Sequence, residues 1–119
     1  MLLRHASLRR NQPGIGRDGL LCSKSKGRLK VVWVHAPSKS AWAALHVVRR
    51  HGGRVEGVVI LEVDVPRTWL RRNRRGLWYS VRDIPPCRIR RVTGFGELAA
   101  SPVDDGQRGT DASRALVAG

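Results

Sequence analysis

Apolar positions along the chain fall into a few short blocks separated by Pro, Gly and cationic runs, and each block carries a recognisable period. The opening "MLLRH" (1–5) predicts a short strand, and "ASLRRNQPGIGRDGLL" (6–21), with Pro13 and three glycines, predicts a turn or short helix. "CSKSKGRLK" (22–30) has no hydrophobic period and reads as an exposed loop feeding the strand "LKVVWVH" (29–35), which Pro37 stops. A helix is predicted to start at Ser38 or Ser40, with a serine hydroxyl accepting from the free amides of its first turn. Ala41, Trp42, Leu45 and Val48 then recur at three- and four-residue intervals, Arg49 and Arg50 suit the helix C-terminus, and Gly52 or Gly53 supplies the left-handed stop.

"VEGVVILEVDV" (55–65) carries a solid Val/Ile/Leu run, the pattern of a strand central to a sheet, and Pro66 ends it. "RTWLRRNRRG" (67–76) predicts a helical turn followed by a basic loop. "GLWYSV" (76–81) and "RDIPPCRIRRV" (82–92) predict two neighbouring strands, the second with Ile89 and Val92 inward. From Gly94 onward the periodicity fades, so the expectation is one domain over 1–98 and a flexible polar tail over 99–119.

Composition changes this picture in two ways. A chain of 119 residues that is 41% hydrophobic suits one small folded core. The 23 Lys+Arg against 9 Asp+Glu give a formal charge of +14, a surface that attracts RNA or another phosphate-bearing polyanion. Since 19 of those cations are arginine, a compositional bias competes with a selected site, and net charge alone speaks to non-specific association. The residues with the best claim on phosphate are Arg71, Arg72, Arg74 and Arg75, grouped around Asn73 and Gly76. Cys22 and Cys87 have no disulfide-framework or zinc-knuckle spacing, and no apolar run approaches the ~20 residues of a membrane span. A reduced, cytoplasmic protein with no membrane partner is expected; oligomeric state is not legible.

Motif chemistry excludes more than it assigns. The histidines His5, His35, His46 and His51 form no metal spacing, so no metal site is expected. There is no Walker loop and no nucleophile elbow, and the Gly-x-Gly-x-x-Gly spacing at Gly14, Gly16 and Gly19 lies within the turn-or-short-helix segment and is not a fingerprint that opens a helix. His46, mid-helix beside Leu45 and Val47, reads as a packed or solvated side chain outside any site. His35 ends its strand and reads either as a group at the mouth of a site or as the polar end of a core strand.

The order of short motifs is nevertheless specific. "LRHAS" (3–7), "DGLL" (18–21), "VHAP" (34–37), "RRHGG" (49–53), "RRGLWYS" (74–80) and "DIPPCRI" (83–89) follow one another with strand and helix spacings between them. In this order the chain resembles the catalytic half of the RNA 2'-phosphotransferases, within the wider ADP-ribosyltransferase fold. There a Leu-Tyr-His-Gly-Thr strand, a Gly-Leu, a Val-His-Leu-Ser strand, a helix ending Arg-His-Gly, an Asn-Gly-Val-Trp-Leu strand and a Val-Pro-Pro strand come in the same sequence. The likeness covers about residues 2–92 and does not include the winged-helix domain that precedes the catalytic half in that family.

The resemblance implies an α+β fold, a small split β-sandwich of ADP-ribosyltransferase type with one main helix. It implies NAD as co-substrate in the cleft between the half-sheets. His5 would lie near the cofactor's ribose, His35 would line the same cleft, Trp78 would wall it, and Arg50 would face phosphate, making Arg50 and His5 the catalytic candidates. A fixed guanidinium suits the charge that builds in such a transfer, and a neutral histidine can bond a ribose hydroxyl. The competing reading is a non-catalytic basic module that binds nucleic acid through Arg71, Arg72, Arg74, Arg75, Arg88, Arg90 and Arg91; Trp33, Trp42, Trp69 and Trp78 could stack on bases, with core packing the expected job for most of them.

Overall fold

The computed structural model describes residues 1–100, which form two antiparallel three-stranded sheets and three helices. The larger sheet has the order β1-β3-β6, built from Leu2–Leu8 (β1), Val58–Asp64 (β3) and Ile89–Gly94 (β6). The smaller has the order β2-β5-β4, from Val32–Val34 (β2), Leu70–Arg72 (β4) and Trp78–Ser80 (β5). The apolar run of β3 is explained by its central place, since a strand covered on both faces has no solvent side on which to alternate. On one face Val59, Leu61 and Val63 join Leu3, Val32, Val34, Leu70 and Ile84 in the core between the sheets. On the other, Val58 and Ile60 pack with Leu8 and Ala44 beneath the main helix. The coarse expectation of a small α+β domain with one main helix therefore holds.

That helix, α2 (Ser40–His51), runs over the predicted span and ends where Gly52 takes φ +79° and its amide donates to the Val48 carbonyl at 2.7 Å. Its start and its buried face differ from expectation. A 3-10 turn at Pro37–Lys39 leads in, and the Ser40 hydroxyl points inward and donates to the Pro37 carbonyl at 2.9 Å, so no serine caps the helix amides. The buried side is Ser40, Ala43 and Ala44, with Val47 and Val48 packed beside them. Trp42 and Leu45 stay 47% and 49% exposed. Small side chains at 40, 43 and 44 let the helix approach the large sheet, where an indole would hold it off.

Three further expectations are corrected. The basic segment after Pro66 contains a strand, β4, as well as the helical turn. β5 and β6 are not neighbours, because the chain between them crosses from the small sheet to the large one; Ile84 bridges Leu20 on the way, with backbone bonds of 2.8 and 2.9 Å. Val92 on the edge strand β6 is 44% exposed, while Ile89 packs against the core. Two short helices complete the fold: α1 (Gln12–Asp18), whose Ile15 is buried, and α3 (Phe95–Ala100), where the pattern had faded. The expected tail lies outside the described residues from 101 onward. Cys22 and Cys87 are free thiols, and among the described residues no helix is long and apolar enough to cross a membrane.

Candidate functional site

The two sheets share a core, and one backbone bridge joins a strand of each. Arg4 of β1 and His35, just past β2, exchange backbone hydrogen bonds of 2.8 Å each, and beyond this bridge the strands part. The His5 side chain spans the gap, its Nδ1 lying 2.6 Å from the Trp33 carbonyl oxygen. A carbonyl only accepts, so Nδ1 carries the proton and the neutral ring leaves Nε2 as an acceptor. Burial pulls the His5 pKa down and outweighs the carbonyl contact that pulls it up, which keeps the ring neutral.

Where the strands part, a cavity of about 590 Å³ opens, bounded by β1, α1, the loop before β2, Trp33 and the C-terminal half of α2. Its charge is one-sided: Arg10, Lys24, Lys26 and Arg50 lie in its walls against a single carboxylate, Asp18. The effect reaches His51, whose pKa is lowered by burial first and then by Lys26, Arg50 and Arg10. Such a concentration of positive charge in a concave surface suits an anionic ligand.

The residues expected to form the site come together in part. His5 and Arg50 line this one cavity, although 45 residues separate them in the chain. His35 does not line it. It is 8% exposed, with Nε2 3.4 Å from the Ser40 hydroxyl, which in turn accepts from Arg4 Nη1 at 3.2 Å. Burial, then the nearby His5 and Arg4, push its pKa down to about 3, so it is a neutral side chain locking the joint between the sheets. Trp78 is half-buried against the core between the sheets, with the Arg72 guanidinium 4.6 Å over its ring. Trp78 does not wall the cavity: the next residue along β5, Tyr79, faces the other way opposite Trp33, and it is Trp33 that lines it.

The four loop arginines divide as well. Arg71 Nη1 donates to the Thr68 and Leu70 carbonyls, and Arg72 Nε donates to that of Gly76. Arg74 and Arg75 are exposed at the hairpin tip, where Asn73 Oδ1 accepts from the amides of Arg75 and Leu77. None of the four lines the cavity.

Several cavity residues were not expected in the site, among them Trp33, His46, Arg10, Lys24 and Lys26. His46 lies one helical turn before Arg50, so the four-residue spacing carried the signal once Arg50 was a candidate. Trp33 alternates with the buried Val32 and Val34 in β2, and that two-residue period puts it on the open face of the strand. Among the described residues no three His, Cys, Asp or Glu side chains gather as a metal site. No protein-family model matches the chain, and no curated protein is significantly similar to it.

Proposed function

We propose that the cavity binds NAD as co-substrate and that the chain is a transferase of the ADP-ribosyltransferase or RNA 2'-phosphotransferase type, acting on a phosphate- or nucleic-acid-bearing acceptor. The observation that carries this reading is the meeting of His5 and Arg50 in one cavity at the split between the sheets. The donor set suits a dinucleotide: cations for a pyrophosphate, a neutral imidazole nitrogen for a ribose hydroxyl, and an indole face for a planar ring. The volume lies within the ~300–1,000 Å³ typical of small-molecule sites. When bound, NAD would supply an electrophilic ribose carbon with nicotinamide as leaving group. The chain's part is to orient and to neutralise: His5 Nε2 accepts from a ribose hydroxyl, while Arg50, with Arg10 and Lys26, offsets phosphate charge.

Calorimetric titration with NAD tests this directly. Saturable binding is expected, weakened at least about tenfold in His5→Ala and in Arg50→Ala, the scale of a lost charge-assisted contact. Because an anion offsets the cations that depress His51, its pKa should rise on binding. Near pH 6 the heat should therefore vary with buffer ionisation enthalpy in the sense of proton uptake. Wild-type protein that shows no saturable binding sinks the reading.

A further inference from the structure

Behind the cavity lies a polar cluster that the proposed chemistry does not use. Ser40, the first residue of α2, is buried, and its hydroxyl serves three segments at once. It donates to the Pro37 carbonyl at 2.9 Å, accepts from Arg4 Nη1 of β1 at 3.2 Å, and lies 3.4 Å from Nε2 of the buried His35. A hydroxyl has one proton and two lone pairs, so with its proton on Pro37 the remaining contact is a donation from His35 Nε2–H. His5, with its proton on Nδ1, and His35 therefore hold opposite tautomers, each fixed by one oxygen. Burying such a cluster costs free energy that aliphatic side chains would not, unless its bonds specify an arrangement.

The two side chains that meet on Ser40 belong to the same two residues whose backbones form the bridge, Arg4 and His35. Continued past the bridge, the antiparallel ladder would set Ala6 opposite Trp33, and the alternation that turns the Arg4 amide and carbonyl toward β2 turns those of Ala6 the same way. Among the described residues no backbone bond joins Ala6 to Trp33, and the Trp33 carbonyl goes to His5 Nδ1 instead. A narrower gap would hand that carbonyl to the Ala6 amide, and a wider one would take it out of reach of either. We infer that Ser40 and His35 are positioning residues for His5: with Arg4 they hold the strands at the separation where the Trp33 carbonyl takes the Nδ1 proton and Nε2 is left as the acceptor. This deepens the transferase reading and rests on it only for what Nε2 accepts.

The test is long-range proton–nitrogen NMR of the isotope-labelled full chain at about pH 7.5, above the ordinary histidine range, where the ring nitrogens report each tautomer. In wild type, His5 should show the Nδ1–H form alone and His35 the Nε2–H form. Ser40→Ala keeps a small side chain and a good helix former but removes the shared oxygen, and His35→Leu removes the ring N–H; each should turn His5 into a mixture with the Nε2–H form at about half. His35→Gln returns an N–H to Ser40 and should restore the single form. NAD should bind Ser40→Ala at least about threefold more weakly, a smaller loss than in His5→Ala. Folded variants in which His5 keeps the single Nδ1–H form overturn the inference whatever their melting temperature, because a purely structural role lowers stability without moving the tautomer. So does a mixture in His35→Gln as large as in His35→Leu, a wild-type His5 in the Nε2–H form, or unchanged NAD affinity beside a mixed tautomer. The two claims fail separately: the tautomer pattern with no NAD binding by wild type removes the transferase reading and leaves the positioning, while NAD binding with unmoved tautomers does the reverse.

Discussion

The two sheets of this domain are made differently, and the difference explains where its chemistry lies. The large sheet is covered on both faces, by the inter-sheet core on one side and by α2 and α3 on the other, and its central strand is nearly solid Val, Ile and Leu. The small sheet is covered on one face. Val32, Val34, Leu70 and Ser80 are buried, which leaves Trp33, Tyr79 and Arg71 on the outside. A strand packed on both sides has every position committed to burial, while a half-covered strand has alternate positions to spend on a ligand. The candidate cavity sits at the seam, where a rigid sheet holds His5 and a half-open one offers Trp33.

The sharpest way to break that contrast is to truncate the middle of the large sheet. Leu61 is fully buried, and Leu61→Ala should cost about 2–5 kcal/mol in chemical denaturation, through lost transfer energy and a residual cavity. A loss below ~1 kcal/mol would mean the large sheet is not the rigid partner. At the seam itself, His35 takes a proton only near pH 3 when folded but near 6.5 when unfolded. Between those values the unfolded chain binds one more proton. Stability contributed by neutral His35 is therefore complete above about pH 6.5 and falls with decreasing pH by up to ~1.4 kcal/mol per unit. His5 and His51 act in the same direction, so His35→Gln should flatten the stability–pH profile below pH 6 without abolishing it. An unchanged profile would show that the seam is not closed over His35. The smallest effect is expected on the outer rim. Trp42→Ala should shift stability by no more than ~0.5 kcal/mol, because Trp42 is 47% exposed and stacks on the exposed His46; a larger loss would move Trp42 from rim to core.

These contrasts also account for what could be read from the residues. β3 was legible because a doubly buried strand is a continuous apolar run, and α2 because Pro37 and Gly52 bracket it. β4 was hidden, since Leu70 is the one buried residue of "LRR" and the two arginines after it look like loop. The helix face was misjudged for a similar reason: Trp42 and Leu45 are more apolar than Ser40 or Ala44, yet the small residues are the ones that fit against the large sheet. His5 and Arg50 were reached by resemblance of ordered motifs. Trp33 and His46 were not reached, because a tryptophan in a Val-rich strand and a histidine inside an apolar helix look like packing until the cavity is seen.

The sequence by itself determined the elements whose signals are local: the apolar run of β3, the Pro-to-Gly limits of α2, and the strong positive charge. Those follow from periodicity and backbone chemistry, which act over a few residues. The tertiary structure alone decided which side of α2 is buried, that β5 and β6 belong to different sheets, and that His5 and Arg50 share a cavity while His35 closes the joint behind it. Each of those rests on contacts between residues distant in the chain, and the last on the Arg4–His35 bridge, a contact across 31 residues that no local pattern encodes.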